Sequence, residues 1–490
     1  MTRSAQLYLV LISVAALSMI AMLRSGNELK PLANSPSRPI ASMQRAHSQV
    51  SGSSSFLGAA KDTLYQNGNS PLSRLFLQLL LIIAAACAAG ALFKHIGQPA
   101  VVGEMVAGIL LGPSLFGLLA PQAFGFVFPP ASLEPLRLFS QIGVCLFMFA
   151  VGMELDISQL KRRVQTAIVV SHSSIVIPYV LGVALALFLY RSLAQPGASF
   201  VAFALFMGIS MSITAFPVLV RILKDRGIFK TPLGSTATAC AAVDDVTAWT
   251  ILAFVVAIAR STSVGGATFT FALVISFVVL MLLLIKPALP QWLGRPALER
   301  PEPDKITLAI VVGLVMAAAF TTELIGIHAL FGAFLAGTIM PVICGFREKL
   351  IVRLENISSV LLLPVFFAFT GLRTQVGLLS TSGDWLVCLL IIAVATVGKL
   401  GGTAIAARIT GLDIRSSLQL GALMNTRGLM ELIALNIGYD LGILSQQIFT
   451  MLVIMAIVTT VMTGPLVTLF AHRESRLISP DGKRAMPWAG

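Results

Sequence analysis

The chain has 490 residues, 57% of them hydrophobic and 11% charged, against roughly 25% charged residues in a soluble globular domain. That balance excludes an ordinary soluble protein and points to a chain embedded in lipid. The net charge of +13 would suit either nucleic acid or a many-spanning membrane protein, so the placement of the charges has to decide.

In chain order, residues 7 to 23 form an apolar run between Arg3 and Arg24. Residues 1 to 23 read equally as a signal peptide or as an uncleaved N-terminal anchor, because no clean small-residue cleavage site separates the two. Residues 24 to 71 are rich in Ser, Pro, Asn and Gly, which predicts a flexible extracytoplasmic tail. From residue 72 to 471 apolar stretches recur, many near the roughly 20 residues needed to cross hydrocarbon. They predict an all-α integral membrane domain of about thirteen transmembrane helices, starting near residues 72, 99, 136, 164, 199, 234, 267, 306, 327, 357, 385, 416 and 446. Residues 472 to 490 follow as a short cytoplasmic tail.

The basic residues separate cleanly between alternate loops. One side carries Lys94, the basic run at 161 to 163, Arg221 to Lys230, Lys286 to Lys305, Arg347 to Arg353, Arg408 to Arg415 and the residues after 472; the other carries Arg137, Arg191, Arg260 and Arg373. The positive-inside rule makes the first side cytoplasmic, and the asymmetry accounts for the net charge without nucleic acid. Cys87, Cys145, Cys240, Cys344 and Cys388 stand singly in apolar segments, with no CxxC spacing or histidine cluster, so they read as packing residues. No metal site and no cofactor is expected.

Two halves of the chain echo each other. GEMVAGILLGP at Gly103 to Pro113 pairs with GAFLAGTIMP at Gly332 to Pro341, and FMFAVGMELD ending at Asp156 pairs with FFAFTGLRTQ ending at Gln375. Six spans precede the seventh and six follow it, so the halves enter from opposite sides. This is the inverted repeat of many secondary transporters.

Asp244 and Asp245 lie mid-span in TATACAAVDDVTAWTILAFVV. An intramembrane charge costs at least about 2.5 to 3.5 kcal/mol on insertion scales, so the pair reads as functional. Lys399, inside the eleventh span, needs a carboxylate partner that the symmetry of the halves can supply. The fifth span of each half looks broken: Thr214 and Pro217 interrupt one, with Phe216 expected to leave helical geometry, and Asn425, Thr426, Arg427 and Gly428 interrupt the other. Paired interruptions point to a binding site. Arg427 and Glu431 are spaced for a local ion pair or a role in gating the break. Glu104 reads as lining the path or pairing with a backbone end, and His172 and His328 as satisfied interior residues.

AVDDVTAW, IHALFGAFLAG, VGKLGGT and NTRGLMELIALNIG together resemble the second cation:proton antiporter family, which includes bacterial sodium/proton and potassium/proton exchangers and plant cation/H+ exchangers. The resemblance covers nearly all of residues 72 to 471. It implies a monovalent cation (Na+ or K+):proton antiporter of the inverted-repeat Na+/H+ antiporter fold with two broken helices. It implies that Asp245 binds the ion, Asp244 pairs with Lys399 and Thr214 contributes to the cation and proton site. It further implies a moving core of spans four to six and eleven to thirteen, and a homodimer through the remaining spans except the linker at 267 to 289, in the lipid of a bacterial inner membrane. An ion channel or a sodium-coupled organic-solute symporter stands as the alternative. The family's potassium-efflux members carry a nucleotide-binding domain after the bundle, and residues 472 to 490 contain no GxGxxG.

Overall fold

The computed structural model describes residues 3–26, 29, 67–68, 70–154, 164–260, 264–294, 298–300, 302–343 and 345–471. Most of the tail at 24 to 71, Asp156, the basic run at 161 to 163, Cys344 and residues 472 to 490 lie outside the described residues. Among the described residues every regular element is a helix. In chain order the α-helices of eight or more residues are α1 (Arg3–Gly26), α2 (Pro71–His95), α3 (Ala100–Leu111), α4 (Leu133–Glu154), α5 (Val164–Leu193), α6 (Phe200–Ser212), α7 (Phe216–Asp225), α8 (Pro232–Arg260), α9 (Val264–Leu280) and α10 (Lys286–Leu293). They continue with α11 (Lys305–Ile325), α12 (Ala329–Thr338), α13 (Phe346–Ile357), α14 (Leu363–Arg373), α15 (Ser382–Thr396), α16 (Gly402–Ile409), α17 (Ile414–Met424), α18 (Leu429–Asp440) and α19 (Gln446–Phe470).

Eleven helices among the described residues are long and apolar enough to cross a membrane. The two expected spans outside that set each have a physical reason. Span nine is only Ala329–Thr338, and span twelve is split into α17 and α18. Polar side chains at the ends satisfy the first free amides: Ser199 accepts from Ala202 N at 3.2 Å, Asp304 from Thr307 N at 2.9 Å and Asp413 from Ser416 N at 3.1 Å.

The helices pack as two groups. In one, a panel, α2 lies on α3, α3 on α14, α4 on α12 and α14, and α11 on α12. In the other, a core, α5 contacts α6, α8 and α16, while α17 contacts α8, α16 and α19. The repeats interlock in the panel through glycine. A Cβ on Gly108 would sit 2.2 Å from the Phe367 carbonyl oxygen and one on Gly371 2.0 Å from that of Gly108; on the opposite pair, Gly152 would meet Phe334 O at 2.2 Å and Gly337 would meet Phe149 O at 2.1 Å. Each repeat's second span thus packs backbone to backbone on the other repeat's third span. Small residues are what permit that approach between membrane helices.

Helix α1 packs on α5 and α6, and Gly26 lies so close to Phe200 that a Cβ would be 1.9 Å from its ring. The bundle's outer faces carry exposed Phe76, Leu80, Phe188, Phe269, Leu283 and Phe320. Those faces suit hydrocarbon.

Candidate functional site

Helices α6 and α7 are separated by an extended segment in which Ile213 has φ −67°, ψ 135° and Ala215 φ −85°, ψ 94°. The break ends one residue earlier than the sequence implied: Phe216 is the first residue of α7, and Pro217 sits in its first turn, where a missing N–H does no harm. On the facing strand of the crossing, α17 stops at Met424 and α18 begins at Leu429. Gly428 supplies the turn with φ 155°, a region side chains avoid, and a Cβ there would stand 3.1 Å from Val218 Cγ2. The two interruptions touch: Ala215 N donates to Thr426 O at 2.9 Å.

A broken helix leaves carbonyls without intrahelical partners and a negative dipole end. Here two buried cations, Lys399 and Arg427, serve the C-terminal end of α6. Lys399 Nζ donates to Ser212 O, and Arg427 donates to Ser210 O and, at 2.5 Å, to Met211 O. Lys399 itself lies in a π-helical turn, Val397–Gly401, between α15 and α16. Thr460 brackets the second break, donating to Arg427 O at 2.8 Å and accepting from Arg427 N at 3.0 Å.

Asp244 and Asp245 are adjacent on α8, fully buried, and differently provided for. Asp244 Oδ2 accepts from Ser174 Oγ at 2.9 Å, from Thr214 Oγ1 at 2.7 Å and from Lys399 Nζ at 3.0 Å. Met424 O lies 2.9 Å from the same Thr214 oxygen, so the single hydroxyl hydrogen is shared between the two acceptors and joins the first acid to both breaks. Neither oxygen of Asp245 has a hydrogen-bond partner. One turn further on the same face, Trp249 packs between Phe331 (ring centroids 5.2 Å apart) and Phe334 (6.0 Å) of α12. Asp244 therefore points into the core while Asp245 faces the boundary with the panel.

Arg427 and Glu431 form the expected pair at 2.8 Å with both side chains fully buried, although Arg427 lies in the break and not in α18. Glu431 Oε1 and both polar atoms of the Asn425 amide are buried without partners. The structure brings together Asp244, Thr214, Lys399 and the Asn425–Arg427 break. It does not bring Glu104 to this cluster: Glu104 lies on α3 in the panel, packed beside Gly90 of α2. His172 is half-buried on α5; His328 precedes α12 with φ 87° and makes no side-chain capping bond, and its buried Nδ1 has no partner, unlike the satisfied interior residue expected. Among the described residues no group of three or more His, Cys, Asp or Glu could hold a metal ion. Sequence reading missed Ser174, Thr460 and Asn436. The run Ser171–Ser174 in an otherwise apolar span was the available signal for the first; nothing local distinguishes Thr460 or Asn436 from ordinary helix-interior polar residues.

Crossed broken helices, inverted repeats and buried acids balanced by buried cations define a secondary transporter. The chain belongs to the sodium/hydrogen exchanger transmembrane family, whose profile matches residues 81–472. It is 43% identical over 80% of its length to the Na+/H+ antiporter NhaS4 of Synechocystis sp., of which it covers 96%. It is 39% identical over 85% of its length to cation/H+ antiporter 17 of Arabidopsis thaliana and 31% identical over 86% to K+/H+ antiporter 1 of Saccharomyces cerevisiae. The chain spans about half the length of these two, 51% and 48%. Its fold matches the sodium proton antiporter MjNhaP1 of Methanocaldococcus jannaschii with a TM-score of 0.59, over 81% of this chain and 100% of that one, at 14% identity.

Proposed function

We propose that this protein exchanges a monovalent cation, Na+ or K+, for protons by alternating access, with Asp245 as the group for which the two compete. The observation that carries the reading is the contrast between neighbours: Asp244 is held by three donors, and Asp245 keeps both oxygens free at the core–panel boundary. A carboxylate so placed takes either a proton or a dehydrated cation. An empty core would carry a bare charge across hydrocarbon, so it crosses only when loaded, and competition becomes coupling. One pH unit supplies about 1.4 kcal/mol, enough to hold a tenfold cation gradient at one proton per ion.

Lys399 and Asp244 set the charge around that exchange, Thr214 ties it to both breaks, and Pro217, Asn425, Thr426, Arg427 and Glu431 shape the crossing. The basic asymmetry of the loops supports an inner-membrane protein with its C-terminal end cytoplasmic. The packing of Met19, Met22 and Leu23 against the core favours a retained anchor over a cleaved signal for α1. The family resemblance supports a homodimer through the panel.

Proteoliposome flux tests the reading. Asp245→Asn should abolish cation-dependent proton movement while the protein remains in the membrane, and retained exchange above about a tenth of wild type, roughly 1.4 kcal/mol of lost coupling at most, would overturn it.

A further inference from the structure

Across the boundary between panel and core, at the end of the bundle that holds Arg137 and Arg260, the side chain of Arg373 closes the gap. It is the last residue of α14 in the panel, and its side chain is 15% exposed. Its Nη2 lies 2.6 Å from Asp440 Oδ1, and its Nη1 donates to Asn436 Oδ1 at 2.9 Å. Both partners lie on α18, which packs on α6 and α19 of the core. The guanidinium stacks 4.3 Å from the Phe369 ring centroid on the panel side and 5.1 Å from that of Tyr439 on the core side. A second rung lies one turn deeper, where Asn436 Nδ2 donates to Thr370 Oγ1 at 2.8 Å.

Position gives this contact a role in access. Beside it lies a cavity of about 630 Å³, lined among others by Cys145, Arg260, Glu323, His328 and Asp440. Helix α18 runs from there to the break, and Asp440 stands nine residues from Glu431, about 14 Å along a rigid helix. Any displacement of the core that opens the boundary at this end must first part Arg373 from α18.

We propose that Arg373 is a gate residue of the transport cycle: its grip on Asn436 and Asp440 holds the core against the panel, and its release opens the path between the buried acids and the Cys145-lined cavity. The inference rests on the alternating-access reading above. A planar guanidinium suits the task, because it bonds the two core acceptors at once while stacking on a ring from each side. A lysine could keep the charge but not the fork.

Cys145 is a native reporter, 7% exposed at the cavity wall. In the full chain with Cys87, Cys240, Cys344 and Cys388 changed to Ser, the rate of its modification by N-ethylmaleimide would be compared with and without the latch. Arg373→Ala and Asp440→Asn should each raise the rate about tenfold, as a loss of roughly 1.4 kcal/mol of closed-state preference requires. Arg373→Lys should fall between them and the parent. The same increases should appear in an Asp245→Asn background, where transport is expected to be absent. The labelling therefore tests the gate independently of the exchange reaction. Unchanged labelling in Asp440→Asn and Arg373→Lys, both conservative enough to remain folded, would overturn the gate even if transport fell.

Discussion

The ion pair between Asp244 and Lys399 offers the sharpest test of how this site tolerates its charges. Removing the ammonium by Lys399→Met, which keeps most of the volume, leaves Asp244 a buried anion with only the hydroxyls of Ser174 and Thr214. It also strands Ser212 O at the end of α6. Removing the anion by Asp244→Asn leaves a buried ammonium whose remaining bond is to that carbonyl. Breaking a buried pair from either side costs about 3 to 5 kcal/mol. The double change leaves no net charge unpaired, and replacing a buried pair by neutral groups is often close to neutral in stability. Melting in detergent should therefore show two destabilised single variants and a double variant near wild type, a coupling as large as the two single losses together, about 6 to 10 kcal/mol. Losses that add within about 0.5 kcal/mol would refute the pair as an energetic unit, whatever its 3.0 Å separation. A flux measurement on Lys399→Met under an imposed membrane potential then separates two roles. If Lys399 releases a proton during the cycle, the voltage dependence of about 2.3 kcal/mol per 100 mV for each net charge disappears; if it persists, the lysine is structural and the aspartates carry the protons.

Three further outcomes are expected. Gly428→Ala, checked by cation-dependent proton flux and by yield of folded protein, should impair both, because its φ of 155° is one that residues with a Cβ avoid and the added methyl would also press on Val218 at 3.1 Å; wild-type flux would show that the break relaxes freely. A cysteine introduced near Ser53 should react with an impermeant thiol reagent from outside and one at Arg163 only after permeabilisation, and the reverse pattern would invert the proposed orientation. The carboxyl of Asp413, the cap of α17, is held below the usual range by bonds from the Ser416 side chain and backbone. A depressed carboxyl stabilises the fold above the ordinary Asp value near pH 4 and ceases to do so as pH falls through its own lower value; Asp413→Asn should accordingly flatten the acid limb of the melting temperature below about pH 4.

The sequence carried the architecture because hydrophobic length is a property of whole segments. Spans beginning near 99, 306 and 446 match helices starting at Ala100, Lys305 and Gln446. Mid-span charges also announce themselves, since lipid makes them costly: Asp244, Asp245, Lys399 and Arg427 were all legible. Their acid partners were legible as well, Asp244 with Lys399 through the resemblance and Arg427 with Glu431 through spacing, but the backbone acceptors of the two cations were not. That Lys399 would reach both Asp244 and a freed carbonyl, or that Arg427 would cap α6 as well as bind Glu431, depends on where the crossing places each side chain. Span nine was read as an ordinary crossing, yet its helix is Ala329–Thr338. Arg373 looked like a loop residue at a helix end, and only its position opposite α18 gives it Asn436 and Asp440.

The distribution of cations around the crossing sharpens the case for where a substrate ion would lie. Three carbonyls at the C-terminal end of α6 receive Arg427 and Lys399, which offset the negative end of that helix. The corresponding end of α17 receives no cation: Met424 O shares the hydroxyl of Thr214 with Asp244, Leu423 O takes that of Thr426, and the amide of Asn425 is buried with no partner. Asp244 is neutralised by Lys399, Glu431 by Arg427, and Asp245 by neither. Around the crossing this leaves one acid, Asp245, without a cation, and one helix end, that of α17, likewise without one. On the proposed reading a proton on Asp245 satisfies the acid alone, whereas a monovalent cation bound there would also offset the field of the bare α17 end. That difference predicts an asymmetry in Asn425→Leu, which removes the neutral polar group beside the bare end: the apparent cation affinity in flux assays should fall while the acid limb of the pH profile stays in place. Equal shifts in both would mean that the end of α17 has no part in holding the ion.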